Sequence, residues 1–98
     1  MEVSIQAVNF KADKKLIDFT EERLAKLRLF YDQLISSDVH FKVDQKSDKE
    51  NKIAEVRIAI PGNDLFAKKQ CKSFEESVDQ CMEALIVQVK KHKAKLVK

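Results

Sequence analysis

The sequence predicts an α+β fold of order β-α-β-β-β-α. Two helices are expected to pack on one face of a four-stranded mixed sheet and so form a two-layer sandwich. Two long stretches carry apolar residues at a helical period of about 3.6, and three short stretches carry them at a strand period of about two. The chain has 98 residues, 44% of them hydrophobic and 36% charged, which supports one core and leaves no room for a second. We therefore expect a single domain over residues 1–98.

The chain begins with a predicted half-buried strand. Val3, Ile5 and Ala7 fall on one face of an extended segment, and Ser4 and Gln6 fall on the other. This alternation is typical of a strand with one face toward the core and one toward solvent.

A first helix is predicted from about residue 13 to about residue 31. Asp13 is a favourable N-cap because its carboxylate accepts hydrogen bonds from the free N–H groups of the first turn. An apolar stripe follows on one side of the helix, and we expect it to face the core. Its members are Leu16, Phe19, Leu24, Leu27, Phe30, Tyr31 and Leu34.

Three further strands are predicted between the helices. Apolar residues alternate over 39–43 and again over 54–60, and the entirely polar segment 47–52 between them predicts a turn. Proline and glycine open a second predicted turn over 61–64, since proline presets its geometry and glycine tolerates positive φ. A return strand is placed at 65–72, where two lysines and a glutamine dilute the alternation.

A second helix is predicted from about residue 74 to near the C-terminus. Ser73 and Glu76 fit a capping box, in which the serine side chain caps the glutamate N–H and the glutamate reaches back. The apolar stripe of this helix comprises Phe74, Val78, Cys81, Met82, Leu85, Val89 and Leu96. A right-handed crossover makes strands one and two parallel, whereas the tight turns make the later pairs antiparallel.

The residue types that carry most catalytic chemistry are sparse and dispersed. His40 on a strand and His92 on a helix do not stand at a metal-ligand spacing, and zinc needs three or four convergent ligands. Cys71 and Cys81 lie in different elements without an adjacent base, so buried reduced thiols are expected rather than a nucleophile. Gly62 has no glycine neighbour with which to form a phosphate-binding loop. The sequence therefore predicts no metal, no cofactor, no small-molecule substrate and no enzymatic activity.

The pattern of apolar residues also argues against a membrane or secreted protein. No apolar run approaches the roughly 20 residues of a membrane span. The N-terminal MEVSIQAVNF lacks the basic and apolar regions of a secretory signal, and two cysteines do not indicate a disulfide framework. We expect a cytoplasmic protein without a membrane partner.

Basic residues form the one remaining group of candidate functional residues. One cluster lies within two turns of the first predicted helix, at Arg23, Lys26 and Arg28, and the other occupies the last turns of the second, at Lys90, Lys91, Lys93 and Lys95. A shared basic stripe would favour nucleic acid, because neutralised phosphates release condensed counterions. Cations near a helix C-terminus also complement the macrodipole and keep a domain in solution. Charge alone leaves these two interpretations equally open, and a membrane-surface helix is less favoured because the apolar stripes are needed for the core.

Several short segments carry a family resemblance over nearly the whole chain. They are the opening MEVSIQAVNF, RLAKL at 23–27, FYD at 30–32, VD at 78–79, and Leu85 followed by QVKKHKAK at 88–95. In their order and spacing the chain resembles the short-form ribosome hibernation factors. That family contains hibernation-promoting factor and ribosome-associated inhibitor A, and is also described as sigma-factor modulation proteins.

The resemblance implies a domain related in shape to double-stranded-RNA-binding domains. It also implies binding to the small ribosomal subunit and its rRNA, in the mRNA and tRNA channel between head and body, and inhibition of translation in idle ribosomes. In family members the basic residues that match Arg23, Lys26 and Lys91 face ribosomal RNA, as do nearby lysines of the last helix. Shape and phosphate contacts suit folded RNA, whose major groove is hard to read.

The sequence departs from the family pattern around the second helix. Gln70 and the run Ser73-Phe74-Glu75 replace an acidic residue and an Asp-Met-Tyr run, while Ala84 and Val87 stand where basic residues are common. The RNA contacts are therefore expected to shift toward the C-terminus. Because neither the long-form dimerisation domain nor the inhibitor's tail follows the second helix, and both apolar stripes serve one core, we expect a monomer off the ribosome.

Two alternatives to ribosome binding stay open. One is a domain of the same fold that binds other structured RNA. The other is a small enzyme on a ferredoxin-like scaffold, which requires a final strand after the second helix. The C-terminal stretch has no strand-like alternation, so the enzyme is the weaker alternative.

Overall fold

In a computed structural model of the chain, residues 2–46 and 49–96 are described, with the side chains of residues 95 and 96 excepted. The elements follow the predicted order. They are β1 (Glu2–Ala7), α1 (Lys14–Phe30), β2 (Ser36–Val43), β3 (Lys52–Ile60), β4 (Asn63–Cys71) and α2 (Phe74–Leu96).

The four strands form one mixed sheet in the spatial order β1-β2-β3-β4. β1 pairs with β2 in parallel, and the two later pairs are antiparallel. One row across the sheet joins Ile5, Val39, Val56 and Ala67, which are apolar residues on the face beneath the helices. The predicted α+β sandwich with a mixed sheet is confirmed.

The two helices run in the same direction over this face. β1 and β4 point the same way in the sheet, and each is followed by a helix that returns antiparallel to it. Arg23 of α1 lies beside Asp79 of α2, and Phe30 near the end of α1 lies beside Lys93 near the end of α2. The C-terminal ends of both helices therefore meet at one end of the molecule.

The start of each helix is fixed by the predicted capping residue. The backbone N–H of Leu16 donates to Asp13 Oδ1 at 2.8 Å, and the N–H of Glu76 donates to Ser73 Oγ at 3.1 Å. Each bond satisfies one of the donors that the first helical turn leaves free.

The core lies between the helices and the sheet. Its fully buried side chains come from both layers, as Leu24, Val39, Phe41, Val56, Ile58, Val78, Leu85 and Val89. Polar atoms in it have backbone partners: Thr20 Oγ1 donates to the Leu16 carbonyl and Ser77 Oγ to the Lys52 carbonyl. The apolar surface that these side chains bury is the main source of stability.

Both cysteines are buried free thiols, as predicted. Cys81 Sγ lies 3.4 Å from the Ala54 carbonyl oxygen, to which the thiol donates. Burial raises the pKa of Cys81 to about 11, which keeps this thiol protonated and unreactive near neutral pH.

The strands are longer than the sequence pattern predicted. β2 begins at Ser36, where Ser36 and Ser37 pair with Ala59 and Ile58, and β3 begins at Lys52. The predicted turn over 61–64 shortens to two residues, Pro61 and Gly62, because β4 already pairs from residue 63. Gly62 has a φ of 79°, which glycine adopts without strain. Part of the predicted 47–52 turn, residues 47 and 48, lies outside the described residues.

One lysine explains the weak alternation of β4. Lys69 pairs with Ala54 and so lies on the helix-facing side of the sheet, although it stays exposed at the edge strand. An inward-pointing charge on an edge strand hinders pairing with a second sheet. The deviation from alternation is therefore consistent with protection of an open edge.

Candidate nucleic-acid interface

Both helices change charge along their length. Residues 13–22 contain four acidic and two basic residues, and residues 75–83 contain four acidic and no basic residues. Residues 23–30 contain three basic residues, residues 84–96 contain four, and neither segment has an acidic residue. Because the helices are parallel, the two basic segments lie side by side. We call residues 23–30 and 84–96 the basic end, and residues 13–22 and 75–83 the acidic end.

Arg23 lies in the groove between the helices, where the two ends meet. Its Nε donates to Asp79 Oδ1 at 2.7 Å, and its guanidinium carbon lies 4.3 Å above the Phe19 ring centroid. Glu22 Oε1 is 3.7 Å from Arg23 Nη1. The side chain is 28% exposed, so α2 and Phe19 hold the guanidinium in one orientation while part of it remains open to a ligand.

The other two basic residues of α1 lie on different sides of the helix. Lys26 is exposed one turn beyond Arg23, and its Nζ lies 3.9 Å from Glu22 Oε1. Arg28 is exposed and follows Arg23 by five residues, which places it roughly 140° round the helix, away from α2. The structure therefore brings Arg23 and Lys26 to the groove and places Arg28 on the opposite flank.

Lys93 joins the ends of the two helices. Its Nζ donates to the Phe30 carbonyl oxygen at 3.3 Å and lies 4.7 Å from the Phe30 ring centroid and 5.4 Å from that of Tyr31. This cation compensates both a terminal carbonyl and the negative end of the α1 macrodipole. Lys93 thus contributes to the fold and to the positive charge of the basic end.

Two further lysines of α2, Lys90 and Lys91, have no ion-pair partner among the side chains that the structure describes. Both side chains are exposed. Lys90 follows Asp79 by eleven residues, about three helical turns, and so lies on the groove side of α2. Lys91 borders a recess beside Asn63 and His92. Lys95 belongs to the last turn of α2, and its side chain lies outside the described residues.

Phe30 corrects an expectation of the sequence. Its spacing placed it in the core stripe of α1, yet the ring is 38% exposed, while the next residue, Tyr31, is 5% exposed. The helix ends at Phe30, and the extended backbone of Tyr31 turns that next ring into the core instead. Leu29 is 88% exposed beside it. Sequence periodicity missed this exposed site because the pattern does not locate the last helical turn.

The sheet face opposite the helices has a balanced charge. The Glu55 carboxylate accepts a hydrogen bond from Lys42 Nζ at 2.8 Å and lies 3.8 Å from Lys68 Nζ, so one acid links three strands. The hydrogen bond from Lys42 is the main reason that the pKa of Glu55 lies below its usual range. Arg57 lies over the Phe66 ring, 5.7 Å from its centroid. Because its charges pair with one another, this face is a weaker site for a polyanion than the basic end.

The histidines lie far from a metal-binding geometry. His40 is exposed on the open sheet face, and His92 is half-buried with its ring edge-on to Tyr31, 6.3 Å between centroids. Residues 2–46 and 49–96 contain no group of three or more His, Cys, Asp or Glu side chains placed to hold a metal ion. Over the same residues, no helix has the length and apolar character needed to span a membrane.

A family model described as sigma 54 modulation protein / S30EA ribosomal protein matches residues 3–97. The chain belongs to this family. The resemblance to the hibernation-factor family is thereby confirmed.

Relatives in the family bear names connected with the ribosome. The ribosome hibernation promotion factor of Bacillus subtilis is 28% identical over 98 residues, which are 98% of this chain and 50% of that protein. The ribosome hibernation promoting factor of Pseudomonas putida KT2440 is 27% identical over 95 residues, 97% of this chain and 89% of that protein. The chain thus spans half the length of the first relative and most of the second.

Two solved structures share the fold. A ribosomal subunit interface protein from Coxiella burnetii superposes with a TM-score of 0.86 at 21% identity, covering 96% of this chain and 99% of that chain. The N-terminal domain of Protein Y from Thermus thermophilus gives 0.80 at 20% identity, with 94% and 99% covered. The β-α-β-β-β-α sandwich is therefore the fold of both neighbours.

Proposed function

We propose that this protein is a ribosome hibernation factor that acts in the cytoplasm. It binds the small ribosomal subunit through rRNA, occupies the channel used by mRNA and tRNA, and so blocks translation in idle ribosomes. The observation that carries the proposal is the basic end, where cations of two parallel helices converge with no acidic residue in either segment. Relatives named as ribosome hibernation factors support the choice of the ribosome as the partner.

The interface works through charge and shape. Arg23 and Lys26 line the helix groove while Lys90, Lys91 and Lys93 extend the positive surface along α2. Each phosphate that these groups neutralise releases condensed counterions, which drives association and makes it dependent on salt. We propose that Arg28 and Lys95 add to this surface from its margins.

Inhibition in this mechanism is steric and needs no catalytic residue. A domain in the decoding channel occupies the space of mRNA and tRNA, so each ligand lowers the apparent affinity of the other by the same factor. Vacant subunits therefore bind the protein, and loaded subunits exclude it.

The test is co-sedimentation of the full chain with purified small subunits, either empty or preloaded with mRNA and initiator tRNA. We expect at least tenfold less retention on loaded subunits, and a binding constant that falls steeply as salt rises from about 50 to 200 mM. Equal retention on loaded and empty subunits would place the site outside the decoding channel. Binding to protein-free total RNA as tight as to subunits would instead indicate a general structured-RNA-binding domain.

A further inference from the structure

Exposed apolar side chains concentrate around the C-terminal end of α1. Among the described residues, six large hydrophobic side chains are markedly exposed, and three of them fall within residues 29–35. They are Leu29 at 88%, Phe30 at 38% and Ile35 at 57% exposure. Clustered apolar exposure on a small domain is typical of a contact surface, whereas single exposed residues are common and need no explanation.

Phe30 is held as a platform rather than as a freely moving side chain. The ring lies on the same side of α1 as Phe19 and Arg23, in the groove beside α2. Lys93 anchors it through the Phe30 carbonyl oxygen at 3.3 Å and through the ring, 4.7 Å from the centroid. An ammonium group is thus held over an aromatic ring that remains partly open to solvent.

We propose that Phe30 is a stacking platform for an unpaired nucleobase of the bound RNA, and that Lys93 pairs with the adjoining phosphate. The proposal rests on the proposed function and adds a base contact to an interface otherwise built on charge. Proteins that hold single-stranded RNA combine aromatic rings for bases with cations for the backbone. The unpaired loops and ends of folded RNA supply splayed bases for such rings.

The charges around the platform favour RNA over an apolar protein segment. Lys93 contacts it and Lys90 lies on the same side of α2, whereas Asp32, two residues beyond Phe30, is the nearest acidic residue in sequence. A second exposed ring, Phe66, provides the contrast within the same molecule. Phe66 is 44% exposed and also contacts a cation, Arg57, but it shares its surface with Asp38 and Glu55. Two rings of similar exposure thus differ in the charge beside them, and Phe66 is the natural control.

The chain contains no tryptophan, so a single substitution creates a specific optical probe. Phe30→Trp places the only indole on the platform, and Phe66→Trp places it on the opposite sheet face. Small subunits are added to each variant at low salt, the signal of the tryptophan-free parent with the same subunits is subtracted, and bound protein is measured separately by sedimentation. We expect Phe30→Trp fluorescence to fall severalfold and to lose its accessibility to acrylamide, whereas Phe66→Trp changes little.

Binding affinities complete the test. Phe30→Leu keeps an apolar side chain but removes the aromatic face, and we expect about tenfold weaker binding to subunits. Phe30→Tyr is expected to bind like the parent protein, and Phe66→Leu likewise. Equal binding by Phe30→Leu and the parent would overturn the proposal, as would an indole at residue 30 that stays accessible on saturated subunits. A blue shift without quenching would indicate a protein contact and would also contradict base stacking.

A second arm separates this proposal from the proposed function. Phe30→Trp is titrated at low salt with short single-stranded oligoadenylate in the absence of ribosomes. Quenching by the oligonucleotide, with no retention of the parent protein on subunits, would support the platform and contradict ribosome binding. Retention on subunits without quenching in either arm would leave the proposed function standing and overturn the platform.

Discussion

The acidic end and the basic end belong to the same two helices. Charges at the acidic end form ion pairs within the protein, whereas two lysines of the basic end do not. At the acidic end, Asp79 and Glu22 lie within ion-pair distance of Arg23, and Lys14 lies 4.0 Å from Asp18. At the basic end, the described side chains of Lys90 and Lys91 make no ion pair. Charge that is neutralised within the fold stabilises it slightly, whereas unneutralised charge remains available for a ligand.

The helix dipoles explain part of this arrangement. Acidic side chains near the N-termini and basic ones near the C-termini each stabilise a helix by about 0.3–1 kcal/mol. Parallel helices place both negative ends together, so one or two lysines there have a structural reason. Four basic residues in the last thirteen of α2 exceed what the dipole needs. Binding experiments can therefore test whether the basic residues beyond this number serve to bind a ligand.

The largest effect is expected from reversing charge at the basic end. Lys90→Glu/Lys91→Glu replaces two exposed cations, and we expect at least a hundredfold loss of affinity for small subunits. The slope of log affinity against log salt should decrease by about two, one for each lost phosphate contact. Sedimentation across a salt series measures both quantities.

The matched control makes the same change of net charge at the acidic end. Lys14→Glu/Lys15→Glu alters two exposed lysines in the first turn of α1 and should reduce affinity by less than threefold. Both variants should unfold within about 1 kcal/mol of the parent, because surface substitutions have small effects. Equal losses in the two variants would mean that net charge, rather than its location, determines binding.

A smaller effect is expected at the boundary between the two ends. Glu22 lies 3.7 Å from Arg23 and 3.9 Å from Lys26, so its carboxylate offsets part of their charge and repels phosphate. Glu22→Gln should therefore strengthen binding about two- to fivefold, since the isosteric amide keeps the shape and removes the charge. Glu21→Gln, one residue earlier on the flank away from α2, is the control and should leave affinity unchanged. Weaker binding by Glu22→Gln would show that the acid orients its cations instead of opposing them.

The fold was predictable because most elements follow a simple local pattern. The caps at Asp13 and Ser73 and the alternation of β3 each depend on neighbouring residues. The missed features depend on residues distant in sequence. Ser36 belongs to β2 because Ala59 lies opposite it, and Lys69 faces the helix layer because the register of β4 pairs it with Ala54.

The candidate site was predictable in composition and less so in geometry. The sequence identified seven basic residues, but only packing separates Arg23 in the groove from Arg28 on the other flank. The pairing of Arg23 with Asp79 spans 56 residues, and no spacing rule anticipates it. Phe30 has the periodicity of a core residue, and its exposure follows from the end of the helix at that position.

The smallest effect is expected on the open sheet face, where charge serves the fold. Glu55 is 18% exposed and accepts a hydrogen bond from Lys42, which holds the pKa of Glu55 below its usual 4.5. A carboxyl whose pKa is lowered in the folded state contributes stability above its unfolded pKa and loses it as pH falls through the folded pKa. Glu55→Gln should therefore lower the free energy of unfolding by about 0.5–1 kcal/mol at pH 7. The difference from the parent should shrink below about pH 4.5 and vanish at lower pH, as urea unfolding at several pH values would measure.

Binding of Glu55→Gln to small subunits should not change, because the open sheet face lies opposite the helix layer that carries the basic end. A variant that unfolds normally but binds more tightly would mean that the sheet face also approaches RNA, and the distinction between neutralised and available charge would then fail.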